Sequence, residues 1–172
     1  GEFYTEEKPD FFIKGRGIDL SLQRNYKSRL IFNGPFGYGW SWNHGDRLVF
    51  IEGGDIVFYS ETGKTYRFTA NGGGYTAPRG LTFMLQKEGS KYLMTYKNRN
   101  KTFFDSEGYL LIKEDPYGNS LRFEYDTDKR LVIIRDDMKR TLHFTYSGGK
   151  VTSVTDFTGR SCTYSYDGDD LT

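Results

Sequence analysis

Leu121-Arg122-Phe123-Glu124-Tyr125-Asp126 is answered 21 residues later by Leu142-His143-Phe144-Thr145-Tyr146-Ser147, and 20 residues after that by Cys162-Thr163-Tyr164-Ser165-Tyr166-Asp167. In each stretch the apolar side chains fall at every second position, the period of a strand with one buried face. Stepping back 21 residues from Tyr125 reaches Phe104-Asp105. Two further registers advance with this aromatic. An apolar residue stands five or six places beyond it, at Leu110, Leu131, Val151 and Leu171. An aspartate stands ten or eleven places beyond it, at Asp115, Asp136 and Asp156, followed three places later by Gly118, Lys139 and Gly159. Three registers moving together define an internal repeat.

Each unit reads as a hairpin of about twenty residues. Leu131 and Ile133 mark its first strand, and Leu142, Phe144 and Tyr146 its second. Asp-x-x-Gly between them is a turn: the carboxylate accepts backbone N–H bonds and glycine takes positive φ. A lone hairpin is marginal in water, so such units gain stability only from their neighbours. The predicted architecture is all-β, an extended antiparallel sheet of stacked hairpins. The middle unit departs from the pattern, with Ser147 in place of Asp and Lys139 in place of Gly.

Composition points the same way. The 172 residues hold 14 Tyr, 14 Phe and 2 Trp but only two alanines, with 21 glycines to supply turns. Aromatics favour strands, and glycine and aspartate favour turns. Residues 1–11 read as a flexible lead-in, 12–98 as an N-terminal β-domain and 99–172 as three to four repeats. In the first part Ile18, Leu20 and Leu22 alternate with polar residues as a strand does. Leu48–Ile51, Ile56–Tyr59 and Tyr66–Phe68, separated by Gly53-Gly54 and Glu61-Thr62-Gly63, predict a meander. Strands are also expected at Leu81–Gln86 and Lys91–Tyr96.

The formal net charge of +1 argues against a dedicated nucleic-acid binder or a polybasic membrane module. No apolar run nears the ~18 residues that span a bilayer, and the acidic first residues hold no signal-peptide core. One cysteine, Cys162, excludes an internal disulfide. It takes a repeat position held elsewhere by Leu121 and Leu142, which reads as a small buried hydrophobe rather than a nucleophile. His143 points to the opposite face from Leu142 and Phe144. With His44 it is too little for a zinc site, and no catalytic residue, metal or cofactor is expected. Asp126-Thr127-Asp128 and the Asp167 to Asp170 stretch lack the spaced ligands of a calcium loop. Lys97-Asn98-Arg99-Asn100-Lys101 reads as a polar hairpin tip. The glycines from Gly34 to Gly39 lack the Gly-Lys-Ser/Thr ending of a phosphate loop. Arg24 and Arg29 are expected to pair with Asp19 or Asp46. Trp40, Trp42 and His44 share a face if they lie on one strand. The two indoles then either plug the end of the sheet or stack on a sugar.

The phrase Tyr125-Asp126, Leu131, Asp136, recurring at 20–21 residues, resembles the YD repeat of Rhs-family proteins. Gly15-Arg16-Gly17-Ile18-Asp19-Leu20, Arg24-Asn25-Tyr26-Lys27-Ser28-Arg29 and Gly34-Pro35-Phe36-Gly37-Tyr38-Gly39-Trp40 are similar to the domain preceding those repeats in bacterial Rhs and wall-associated polymorphic toxins. The resemblance implies a non-enzymatic scaffold, part of a β-sheet shell that encloses a C-terminal toxin and is secreted or delivered by a bacterial secretion system. Ending at Thr172 after three to four units, with no Met at Gly1, the chain is expected to be a fragment or a small relative of something longer. Its partner would then be the remainder of its parent chain. An exposed sheet edge also predicts self-association; no nucleic acid and no direct membrane insertion are expected. The alternative reading is a carbohydrate- or cell-surface-binding β-module using Trp40 and Trp42.

Overall fold

The structure, a computed structural model, describes residues 4–6 and 8–172. The first half forms β1 (Tyr4–Glu6), β2 (Phe11–Ile13), β3 (Leu20–Leu22), β4 (Arg24–Lys27), β5 (Asn33–Gly34), β6 (Gly37–Tyr38) and β7 (Trp40–Trp42). A meander follows: β8 (Arg47–Phe50), β9 (Ile56–Tyr59), β10 (Thr65–Ala70) and the short β11 (Tyr75–Thr76). β1, β4 and β7 make one small sheet, β8 to β11 another, and β2–β3 and β5–β6 are separate hairpins. The meander sits where the runs Leu48–Ile51, Ile56–Tyr59 and Tyr66–Phe68, separated by turns, predict it, and Leu48, Ile56, Phe58 and Phe68 are buried.

The rest is one nine-stranded antiparallel sheet in strict sequence order. Its strands are β12 (Met84–Glu88), β13 (Lys91–Thr95), β14 (Lys101–Phe104), β15 (Leu110–Glu114), β16 (Ser120–Tyr125), β17 (Leu131–Asp136), β18 (Thr141–Ser147), β19 (Lys150–Asp156) and β20 (Ser161–Thr163). A last hairpin pairs β21 (Tyr166–Asp167) with β22 (Asp170–Leu171). One face of the sheet buries Leu121, Phe123, Ile134, Leu142, Phe144 and Val154, while Arg122, Glu124, His143 and Thr145 on the other are exposed. The first half covers the apolar face. The all-β architecture is as the repeat predicts, and no α-helix occurs among the described residues.

Four details differ from expectation. Inside the predicted lead-in, β1 pairs with β4, and Phe11 is buried in β2 against β3; the remaining lead-in residues 1–3 and 7 lie outside the described residues. The strand expected from Leu81 starts at Met84. The sheet therefore already includes β12 and β13, and the division drawn at residue 98 falls inside it. β7 ends at Trp42, so His44 sits in the following turn.

The two halves are joined by backbone as well as side chains. Leu48 N–H donates to the Gly108 carbonyl (2.9 Å), Val151 N–H to Pro35 (2.8 Å) and Tyr38 N–H to Asp169 (2.9 Å). At this last junction Gly37 has φ +90° and a Cβ there would lie 2.5 Å from the Asp169 carbonyl oxygen. A positive φ and a close backbone approach together require glycine.

Candidate functional site

The repeats use one turn at both ends of the sheet. In the turns that start at Asp105, Asp115, Asp126, Asp136 and Asp156, Oδ1 accepts the N–H groups two and four residues on, at 2.8–3.1 Å. The residue three places on donates its N–H to the aspartate carbonyl and has positive φ: Gly108, Gly118, Lys129, Lys139 and Gly159. Lys139 thus keeps the turn but adopts a conformation that glycine takes without steric cost. Asp126, Asp136 and Asp156 each also hold an arginine four places on, Arg130, Arg140 and Arg160, at 2.7–2.8 Å. Asn119 serves Asp115 in the same way at 2.7 Å. Hydrogen bonds from the backbone and side chain of Arg130 hold the Asp126 carboxyl below its ordinary range. At Asp156 burial pushes upward, but the bonds from Thr158 and Arg160 outweigh it, and the pKa falls to about 2.

The Ser147 departure has a geometric reason. Ser147 pairs directly with Lys150 across Gly148 and Gly149, both at positive φ. This is a two-residue hairpin turn of the kind that suits strand twist. It needs no aspartate and is one residue shorter than the Asp126 turn, which accounts for a spacing of 20 rather than 21. Asp167 keeps the repeat residue but not the repeat turn, since it pairs with Asp170 in a hairpin of this shorter kind.

Phe104, Tyr125, Tyr146 and Tyr166 occupy equivalent places, opposite Leu110, Leu131, Val151 and Leu171. At the first three a bulge shifts the register next to the ring. The hydroxyls of Tyr125, Tyr146 and Tyr166 donate to the carbonyls of Leu110, Leu131 and Val151, each 15 residues earlier, at 2.8, 2.8 and 2.7 Å. Each tyrosine therefore ties its strand to the start of the preceding unit. Burial raises the pKa of Tyr125 and Tyr146, and brings that of Tyr166 up to about 12, so all three remain donors at neutral pH. Phe104 has no hydroxyl and is completely buried instead.

Two places before each of the three tyrosines stands a residue on which the first half docks, and in the first unit Phe104 itself takes that part. Phe123 meets His44 at 5.2 Å, Phe144 meets Trp42 at 5.9 Å and Tyr164 meets Phe36 at 5.3 Å between ring centroids. Phe104 meets Phe58 at 6.2 Å. Trp42 is buried within this row, so the reading of Trp40 and Trp42 as an exposed sugar platform is corrected. Trp40 is half-buried beside Tyr26 and under the Arg24 guanidinium, 4.7 Å from its ring. Arg24 pairs with Asp10 at 2.6 Å, not with Asp19 or Asp46. Cys162 lies opposite Val154 as Leu142 lies opposite Ile134, but it is only half-buried on the last strand of the sheet. Burial still raises its thiol pKa, against nucleophilic use.

Beneath the row lies a charged cluster. Lys113 Nζ donates to the Asn43 carbonyl (2.7 Å) and to Glu61 (3.0 Å), and lies 3.5 Å from Asp46. Burial alone would lower its pKa, but the two carboxylates raise it, so the ammonium persists. His44 beside it is held neutral, its pKa lowered to about 3 by burial and by Lys113. Nε2 bonds the Ser21 carbonyl at 2.8 Å, while buried Nδ1 has no hydrogen-bond partner among the described residues. Among the described residues no three His, Cys, Asp or Glu side chains are arranged to hold a metal. The sequence reading missed Arg130, Arg140 and Arg160, although Asp-x-x-x-Arg recurs three times. It also missed the docking of Phe36, His44 and Phe58 on the sheet, and the Lys113 cluster, which no local spacing announces.

Residues 1–68 match the model of a family described as "Domain of unknown function (DUF6531)". The chain is 32% identical over 124 residues to the tRNA3(Ser)-specific nuclease WapA of Bacillus spizizenii, to the tRNA nuclease WapA of Bacillus subtilis and to the tRNA(Glu)-specific nuclease WapA of Bacillus subtilis subsp. natto. Each alignment covers 71% of this chain but only 5% of the relative, so the chain spans a small part of the proteins it matches. In general terms these likenesses support the resemblance to the Rhs/YD-repeat proteins.

Proposed function

We propose that this chain is a non-enzymatic scaffold segment, the start of a YD-repeat β-sheet wall that encloses a C-terminal toxin in an exported bacterial protein. The observation that carries this reading is the equivalence of Phe104, Tyr125, Tyr146 and Tyr166, each opposite the apolar residue of its own unit. Such a unit is extended by adding another, because the next tyrosine hydroxyl bonds a carbonyl already in place. Within the nine-stranded sheet β20 is hydrogen-bonded to β19 alone, and further hairpins would add along it. The first half would serve as the starting cap, since its rings cover the apolar face that a lone sheet exposes. Nuclease activity belongs to the WapA relatives by name. In this reading it resides outside the 5% of their length that aligns with this chain.

Electron microscopy of the parent polypeptide tests the proposal. A closed wall in which strands continue from β20 around a separate domain is the expected result. A parent whose later residues fold away from β20 would overturn it. Incubation of the 172-residue chain with tRNA should yield no cleavage, and turnover by the pure chain would contradict the scaffold role. The same edge is proposed to let isolated chains associate, which light scattering at rising concentration would register as a mass above the monomer.

A further inference from the structure

At the end of the sheet marked by the turns at Asp115, Asp136 and Asp156, the two halves part to leave an open cleft of about 600 Å³. It lies wholly between Asp46 and Glu114 in sequence. That size suits a small ligand, for which sites of about 300–1,000 Å³ are usual.

One wall is aromatic. Tyr66 and Phe83 pack edge-to-face at 5.5 Å, Phe83 and Tyr96 are 5.3 Å apart, and Phe58 lies behind, 5.8 Å from Phe83. Tyr66, Phe83 and Tyr96 are only partly buried, so ring surface remains open to the cleft. The floor is polar and already ordered. Lys113 fixes the Glu61 carboxylate at 3.0 Å and approaches Asp46 at 3.5 Å, and Asp46 accepts the Glu61 N–H at 2.7 Å. Acceptors fixed in this way lose little freedom when they bind. Hydroxyl and amide groups from the turns at Ser60–Thr62 and Asn98–Asn100 form the rim.

The charges decide the class of ligand. Lys97, Lys101 and Lys113 face the cleft, and so do Asp46, Glu61 and Glu114. Three cations and three anions cancel, so neither a phosphate nor an ammonium group is selected by net field. The ligand that fits is uncharged, with one flat apolar face for the rings and a polar edge offering both donors and acceptors. We infer that this cleft binds a neutral sugar residue. The site is separate from Trp40 and Trp42, and it stands or falls independently of the shell.

Saturation-transfer NMR on the whole 172-residue chain tests the assignment, with glucose, galactose, N-acetylglucosamine and their disaccharides as probes. Transfer from at least one neutral sugar is expected, with affinity lowered on the order of tenfold or more by Tyr66→Ala, about the loss of one good contact. Thr82→Trp puts a bulky side chain at an exposed residue of the cleft wall and should abolish transfer while the protein melts as before. Thr127→Ala, in the exposed Asp126 turn at the opposite end of the sheet, should change nothing. No transfer from any sugar, transfer that survives Thr82→Trp, or stronger binding of galacturonate, glucosamine or adenosine would overturn the inference.

Discussion

Within the repeat sheet every strand pairs with the strands before and after it in sequence, whereas in the first half β1 and β7 are neighbours of β4 across intervening chain. The repeat half closes most of its turns with a local aspartate or the Gly148-Gly149 pair, and ties three of its units with the hydroxyls of Tyr125, Tyr146 and Tyr166. The first half is four small sheets and hairpins, and each of its rings Phe36, Trp42, His44 and Phe58 finds a ring partner on the other half. Local rules thus build the sheet, and docking onto it organises the rest.

The sharpest way to break this contrast is at the docking row. Trp42→Ala should cost about 3–5 kcal/mol, the usual range for truncating a buried aromatic, read by chemical denaturation. A milder loss is expected within the repeats. Asp136→Ala removes the acceptor of two N–H groups and of Arg140, and should cost about 1–3 kcal/mol. Ser147→Ala, in the turn that needs no carboxylate, should stay within about 0.5 kcal/mol. Equal losses at both turns would refute the difference between them.

Acid separates the two regions again. His44 is neutral in the fold down to about pH 3, while the unfolded chain takes up its proton near pH 6.5. Stability from this group is complete above pH 6.5 and falls as pH drops, by about 1.4 kcal/mol per unit through the middle of that window. His44→Gln should flatten this slope in denaturation curves recorded between pH 6 and 4. The turn carboxylates act later: Asp156, with its pKa lowered to about 2, loses its contribution only as pH falls from about 4 toward 2. Smaller still is Tyr146→Phe, which should cost about 0.5–1.5 kcal/mol for one hydrogen bond. Lys139→Gly should instead raise stability by up to about 1 kcal/mol, by relieving a positive φ of 62°.

The same contrast explains what the sequence reveals. Phe104, Tyr125, Tyr146 and Tyr166 announce their equivalence because repeat geometry is written at fixed spacing. The turn aspartates do too, although Asp105 and Asp126 on one side and Asp115, Asp136 and Asp156 on the other were not evidently one device. Trp42 gives no such sign: its burial depends on Phe144, which is distant in sequence. The Lys113 ion pairs with Asp46 and Glu61, and the cleft above them, arise only when β15 meets the meander.

Native-state hydrogen exchange tests most directly whether the halves form one structure. The buried amides of β3 and β9 should exchange with the same opening free energy as those of β16 to β18, and both should fall together in Trp42→Ala. If the sheet amides stay protected while those of β3 and β9 exchange through a separate, lower opening, docking does not make the two halves one cooperative unit.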